Sequence, residues 1–193
     1  DPVEFVHEIQ GCLVTQREVG SDTKGFQQAL RSVLRQDPDY VLVGEMRDHE
    51  TIEAALTLAE TGHLTFGTLH TSDAVQTVNR IIDVFPSHQQ AQVRTQLSFS
   101  LEAVFCQQLV PLESGRGRCL AAEVMIATPA IRALIRDGKG HQIYSSIQTG
   151  GKLQMKTMSQ SLSELVRAGK VSIDIAEHYI GEPSELRTLV RAA

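Results

Sequence analysis

Apolar residues change their spacing several times along the chain, and each change predicts an element. Val14 to Glu18 reads as a short strand. Ser21 or Asp22 then caps a helix carrying Phe26, Ala29, Leu30, Val33 and Leu34 at helical spacing, and Asp37-Pro38 stops it. YVLVG, 40–44, is a continuous apolar run of the kind buried on both faces of a parallel sheet. A helix beginning at Asp48 or Glu50 places Ile52, Ala55, Leu56 and Ala59 on one side and closes at Gly62, and LTFGTL, 64–69, returns as a strand.

Strand, helix and strand within about 30 residues make a β–α–β unit, whose two strands run parallel. Glu45 follows the first strand and His70 the second, so both emerge at the carboxyl edge of one sheet, where α/β proteins place ligands. His63 lies at the opposite edge, roughly 20 Å from His70 for an extended chain, too far to share a metal ion. Beyond this unit, Ser72 or Asp73 caps a helix through Val75, Val78 and Ile81, and Pro86 breaks it. A longer helix then carries Val93, Leu97, Leu101 and Val104. QQLVPL and CLAAEVMIA read as a hairpin joined by the polar, glycine-rich ESGRGR. From Thr128-Pro129 onward the pattern is helical: Ile131, Leu134 and Ile135, then Met158 to Val166 stopped by Gly169, then Ile173 to Tyr179.

Composition narrows the class. With 193 residues and 41% hydrophobic content the chain buries a real core. A net charge of -5 argues against nucleic acid as partner. No apolar stretch is long enough to span a bilayer, and the acidic start is unlike a signal peptide, so the chain reads as cytoplasmic. Cys12, Cys106 and Cys119 form no C-x-x-C pair and read as buried, reduced thiols. Asp1 opens the chain without a methionine, inside an acidic segment, which reads as a cut end.

Taken singly, the candidate residues are ordinary. Glu45 stands where nucleotide-hydrolysing proteins keep an acid that works through magnesium or water, yet an acid after an apolar strand is more often a solvated strand end. Gly44 also takes the place where an aspartate usually precedes it. Glu4, in DPVEF, is open to the same plain reading. His70, among Thr68, Thr71 and Ser72, offers an imidazole and hydroxyls to a phosphate, although a lone strand-end histidine is usually structural. His63 follows a helix C-terminus, where positive charge is favoured for stability alone.

The combination is more specific. GEMRD, 44–48, and ETGHLTFGTLHTSDA, 60–74, resemble the Walker B and histidine-box segments of the secretion ATPase superfamily, which drives type II secretion and type IV pili. DPVEF, 1–5, is similar to the end of that superfamily's aspartate box. QREVGSDTKGFQQALRSVLRQDPD, RIIDVFP, ATPAIRALIRD and YSSIQTG are similar to the retraction branch, the PilT-type ATPases of the type IV pilus, and the resemblance runs to about Val171. It implies an α/β fold: a partial RecA-like P-loop ATPase core over 1–127, then a mainly helical C-terminal region over 128–193 that contains AIRALIR, 130–136.

The resemblance also implies roles and company. Glu4 would orient or activate the attacking water, Glu45 would hold Mg2+ directly or through water, His70 would approach the γ-phosphate of ATP, and His63 would couple that state to the sheet and the neighbouring subunit. Glycine before the Walker B glutamate is that superfamily's own pattern. The implied partners are a homo-hexamer and an inner-membrane pilus platform protein, at a cytoplasmic position peripheral to the inner membrane. The 193 residues contain no G-x-x-x-x-G-K-[ST] loop, so the chain is expected to be a C-terminal fragment, inactive alone. A pilus-extension or type II secretion ATPase, and a noncatalytic ring-interaction module, are the alternatives. Arg132, beside the apolar face of AIRALIR, is expected to matter for motor action and not for folding.

Overall fold

The computed structural model of the chain describes residues 3–192, the side chain of Gln27 excepted. It has two compact units, Asp1–His70 and Thr71–Ala193.

In the first unit, helix α1 (Phe26–Val33) precedes strand β1 (Tyr40–Val43), helix α2 (His49–Glu60) and strand β2 (Leu64–Gly67). β1 and β2 pair in parallel, with Tyr40 opposite Leu64 and Val43 opposite Gly67, so the expected β–α–β unit is present. Local chemistry sets the bounds of α2. Asp48 takes an extended backbone, and its carboxylate accepts from the Thr51 amide at 2.8 Å, satisfying an open helix-start donor and placing negative charge against it. At the other end Gly62 adopts φ 96°, while the His63 and Gly62 amides donate back to the carbonyls of Leu58 and Ala59 at 3.3 and 3.2 Å. Glycine enters this left-handed turn without the steric penalty of a side chain. Leu30, Val43, Ile52, Ala55, Leu56 and Leu58 are the buried apolar residues of the unit.

Three expectations change here. Residues 14–18 form no strand, and Val19 makes only an isolated bridge to Thr23, since β-prone side chains without a partner backbone do not hold an extended ladder. The residue before α1 is Gly25 and not Ser21 or Asp22; the Asp22 carboxylate accepts instead from the Glu18 amide at 2.9 Å. β1 is not buried on both faces: Tyr40 and Leu42 are 72% and 70% exposed. Among the described residues the pair has no third strand, and α2 is the one helix after β1 in this unit.

The second unit begins with α3 (Ala74–Asp83) and α4 (Ser87–Ser100), continues through the antiparallel hairpin of β3 (Ala103–Pro111) and β4 (Arg118–Ile126), and ends in α5 (Pro129–Arg136), α6 (Ile143–Thr149), α7 (Met158–Arg167), α8 (Ile173–Glu177) and α9 (Pro183–Arg191). Asp73 caps α3 by accepting from the Gln76 amide at 2.7 Å. The helix expected to run past Leu101 stops at Ser100: Leu101 turns extended, and Val104 becomes a buried residue of β3. α8 ends before Tyr179, and α9 is an element that the hydrophobic pattern did not announce. Cys106 is buried and Cys119 half-buried, but Cys12 is exposed, contrary to expectation. Burial pushes the Cys106 thiol up to about 11, away from thiolate chemistry.

The hairpin's inner face carries Val104, Cys106 and Val110 from β3 and Ala121, Glu123 and Met125 from β4. Glu123 is 1% exposed, a position that a charge tolerates only when its oxygens are fully used. One oxygen accepts from the Ala74 amide at 2.7 Å and the other from the Met158 amide at 3.2 Å, the first residues of α3 and α7. Both donors are among those a helix start leaves open, and both helix dipoles present positive ends to the acid. Burial pushes the Glu123 carboxyl up, while these two amides pull it back. Glu123→Ala leaves two buried amides without an acceptor and is expected to destabilise the chain by about 3 kcal/mol, read as a lower urea midpoint at constant slope. A change below about 0.5 kcal/mol would show that neither helix start depends on this acid.

Candidate functional site

Parallel pairing places the carboxyl ends of β1 and β2 side by side, and the pairing continues one step beyond the strands. The Met46 amide donates to the Thr68 carbonyl at 3.0 Å, and the Thr68 hydroxyl donates to the Gly44 carbonyl. Thr68 therefore fixes the backbone on both sides of Glu45. Gly67 allows the close approach that follows, because a methyl there would stand 2.6 Å from the Met46 Sδ.

With its backbone fixed, Glu45 meets two side chains. His70 Nε2 lies 3.0 Å from Glu45 Oε1, and the Arg47 guanidinium pairs with that same oxygen. The Glu45 side chain is only 12% exposed, whereas those of His70 and Arg47 are 83% and 72% exposed. The acid lies low, with an imidazole and a guanidinium open to solvent beside it. The hydrogen bond from Arg47 is the largest influence on the Glu45 carboxyl and holds it below the usual carboxylate range; desolvation opposes this, and the charges of Arg47 and His70 reinforce it. A carboxylate kept ionised, with donors around it, suits an anionic ligand carried with a hard cation.

The four sequence candidates do not all meet. Glu45 and His70 do. His63 sits at the amino end of β2, where Nδ1 donates to the Leu58 carbonyl at 3.2 Å and lies 3.0 Å from the Thr61 hydroxyl. It ties the end of α2 to the start of β2 and takes no part in the Glu45 cluster. Glu4 is exposed in an irregular segment, with no hydrogen bond or ion pair to Glu45 or His70 among the described residues; Asp1 and Pro2 of the same box lie outside those residues. Arg47 is the contact that sequence reasoning missed. Its signal was position alone, two residues past an acid whose strand had ended. The described residues hold no cluster of three or more His, Cys, Asp or Glu side chains that would cage a metal.

AIRALIR occupies most of α5. The Thr128 hydroxyl accepts from the Ile131 amide at 3.3 Å, Pro129 pre-sets the first turn, and Ile131 and Ile135 are buried. Arg132 does far more than stand beside this face. Its guanidinium donates to the carbonyls of Ala127 at 2.8 Å, Ser98 at 3.1 Å and Phe99 at 2.8 Å, and to the Glu102 carboxylate at 2.9 Å. Ser98 and Phe99 belong to the last turn of α4, whose carbonyls have no acceptor role left within the helix and favour a cation. These contacts argue against the expectation that folding is indifferent to Arg132.

The chain is similar to known proteins along most of its length. The family model described as "Type II/IV secretion system protein" matches residues 1–188. The type IV pilus retraction ATPase PilT of Pseudomonas aeruginosa is 59% identical over 172 residues, 89% of this chain and 50% of that protein. A twitching motility protein of Neisseria gonorrhoeae is 53% identical over 176 residues, 91% of this chain and 47% of that protein. Among solved structures, the pilus retraction motor PilT with bound ADP superposes with a TM-score of 0.89 at 49% identity, covering 97% of this chain and 53% of that one. The chain thus spans about half the length of the relatives it matches, and its α/β fold is that of the ATPase it superposes on.

Arg132→Ala removes the guanidinium that satisfies the end of α4, and the expected cost is about 2 kcal/mol of stability. Arg132→Lys, with a single ammonium in place of the planar fork, recovers only part of it. Thermal unfolding of both variants measures this, and an unchanged midpoint for Arg132→Ala would return the residue to the surface role that the sequence suggested.

Proposed function

The chain belongs to the type II/IV secretion system protein family, and from that premise we propose that it is part of a motor ATPase that couples ATP hydrolysis to type IV pilus retraction. The observation that carries this reading is the 3.0 Å contact between His70 and Glu45 at the carboxyl edge of the parallel pair. Two residues that the sequence separates by a helix and a strand meet where open α/β sheets bind ligands. Identity to the retraction ATPase and the twitching motility protein supports the direction of movement.

The residues fit magnesium in its usual manner of binding. That ion takes one or two carboxylates, with substrate phosphates and water completing its octahedron, and does not require an all-protein cage. Glu45 supplies one hard oxygen donor here. When bound, magnesium would neutralise charge on the transferring phosphoryl group. Glu45 would hold it directly or through water, His70 would meet the γ-phosphate side, and Glu4 would orient the attacking water. His63, anchored at the far end of β2, would relay the state of that strand to a neighbouring subunit. The ATPase core is assigned to 1–127 and the helical region to 128–193. The whole protein would work as a homo-hexamer against an inner-membrane platform protein, on the cytoplasmic side of that membrane, with no nucleic acid partner. Among the described residues, no helix is long and apolar enough to cross a membrane.

Triphosphate binding needs more than these 193 residues contain, since backbone amides of a glycine-rich loop and its lysine normally cradle the phosphates. Calorimetry with Mg-ATP on the 193-residue chain is expected to show no micromolar binding and no phosphate release; micromolar binding or phosphate release would mean that the phosphate site lies within this chain. In the complete gene product, His70→Ala is expected to lower ATP turnover about 100-fold while shifting unfolding little, because the exposed imidazole contributes almost no packing. Turnover equal to wild type would remove His70 from the reaction.

A further inference from the structure

Glu45 is shared unequally. Both His70 Nε2 and the Arg47 guanidinium reach Oε1. Among the described residues no hydrogen bond to Oε2 is seen, and the Glu45 side chain as a whole is 12% exposed. Two donors on one oxygen define which way the carboxylate is rotated. Arg47 lies two residues beyond Glu45, and its guanidinium reaches back to that carboxylate. The guanidinium gives that restraint direction because its N–H groups are fixed in a plane.

We propose that Arg47 is a positioning residue for Glu45: by holding Oε1 together with His70, it presents Oε2 to the divalent cation that accompanies the nucleotide. This rests on the reading of Glu45 as a magnesium-side acid. Carboxylates that ligate metals are themselves held by hydrogen bonds from an outer shell, and loss of such a partner weakens metal binding about 10- to 100-fold. Arg47 would act through Glu45, the residue that would hold the metal. Its exposure means that it contributes little to the core, so its removal is felt at the carboxylate and not in folding.

The experiment measures Mn2+ binding by electron paramagnetic resonance in the complete gene product saturated with ADP, for wild type, Arg47→Ala, Arg47→Lys and Glu45→Ala. Metal-free ADP binding serves as the check on folding. Arg47→Ala is expected to weaken Mn2+ binding about 10-fold or more with metal-free ADP affinity unchanged, and Arg47→Lys to recover part of the loss. Mn2+ affinity unchanged in Arg47→Ala, while Glu45→Ala loses it, overturns the positioning role and leaves the proposed function standing. Tighter Mn2+ binding in Arg47→Ala also overturns it, by showing that Arg47 competes with the cation. If Glu45→Ala itself binds Mn2+ like wild type, the assignment of Glu45 fails, and the role of Arg47 fails with it.

Discussion

The parallel pairing of β1 with β2 is the constraint on which the candidate site depends. Parallel strands cannot be joined by a tight turn, so the chain must cross back through α2 before β2 can start level with β1. The register that sets Tyr40 opposite Leu64 also sets Gly44, Glu45 and Met46 beside Thr68. A slip of one residue would turn every side chain of β2 to the other face and take Thr68 away from both of its bonds. The caps of α2 guard that register. Asp48 fixes where the helix begins and Gly62 where it ends, which fixes the number of residues available for the crossing.

Much of this was legible in the sequence because the signals are local. An apolar run bounded by an acidic cap and a glycine stop specifies strand, helix and strand without reference to anything distant. The meeting of Glu45 and His70 then follows from strand direction alone. Other features depend on partners that no local pattern names. Residues 14–18 have strand propensity but no backbone to pair with. Arg47 chooses its partner through a flexible side chain. Arg132 reaches carbonyls of residues 98 and 99, more than thirty positions away. Within CLAAEVMIA, Glu123 looks like an interruption to be placed outward, and it is buried because two helix starts supply it with donors.

Tyr40, Leu42, Leu64 and Phe66 stand exposed as two cross-strand pairs, Tyr40 opposite Leu64 and Leu42 opposite Phe66. Their apolar character is what made β1 read as a doubly covered strand, and the expectation was sound as chemistry. The cover seen among the described residues is on one side only. This is also the unit in which Glu45 and His70 stand.

The bonds of Glu123 bear on how the second unit folds. Its two amide partners lie 49 positions before it and 35 after it. Neither α3 nor α7 has its full complement of acceptors until the hairpin between them has delivered this carboxylate. Closing two loops of that length has an entropic cost that is recovered only once both helices have docked. The hairpin, though local and fast to zip on its own, gains little from forming early. Assembly of this unit is therefore cooperative across some eighty residues, and its opening should be all-or-none, with amide hydrogens of α3 and α7 exchanging with solvent at a common rate although they are far apart along the chain.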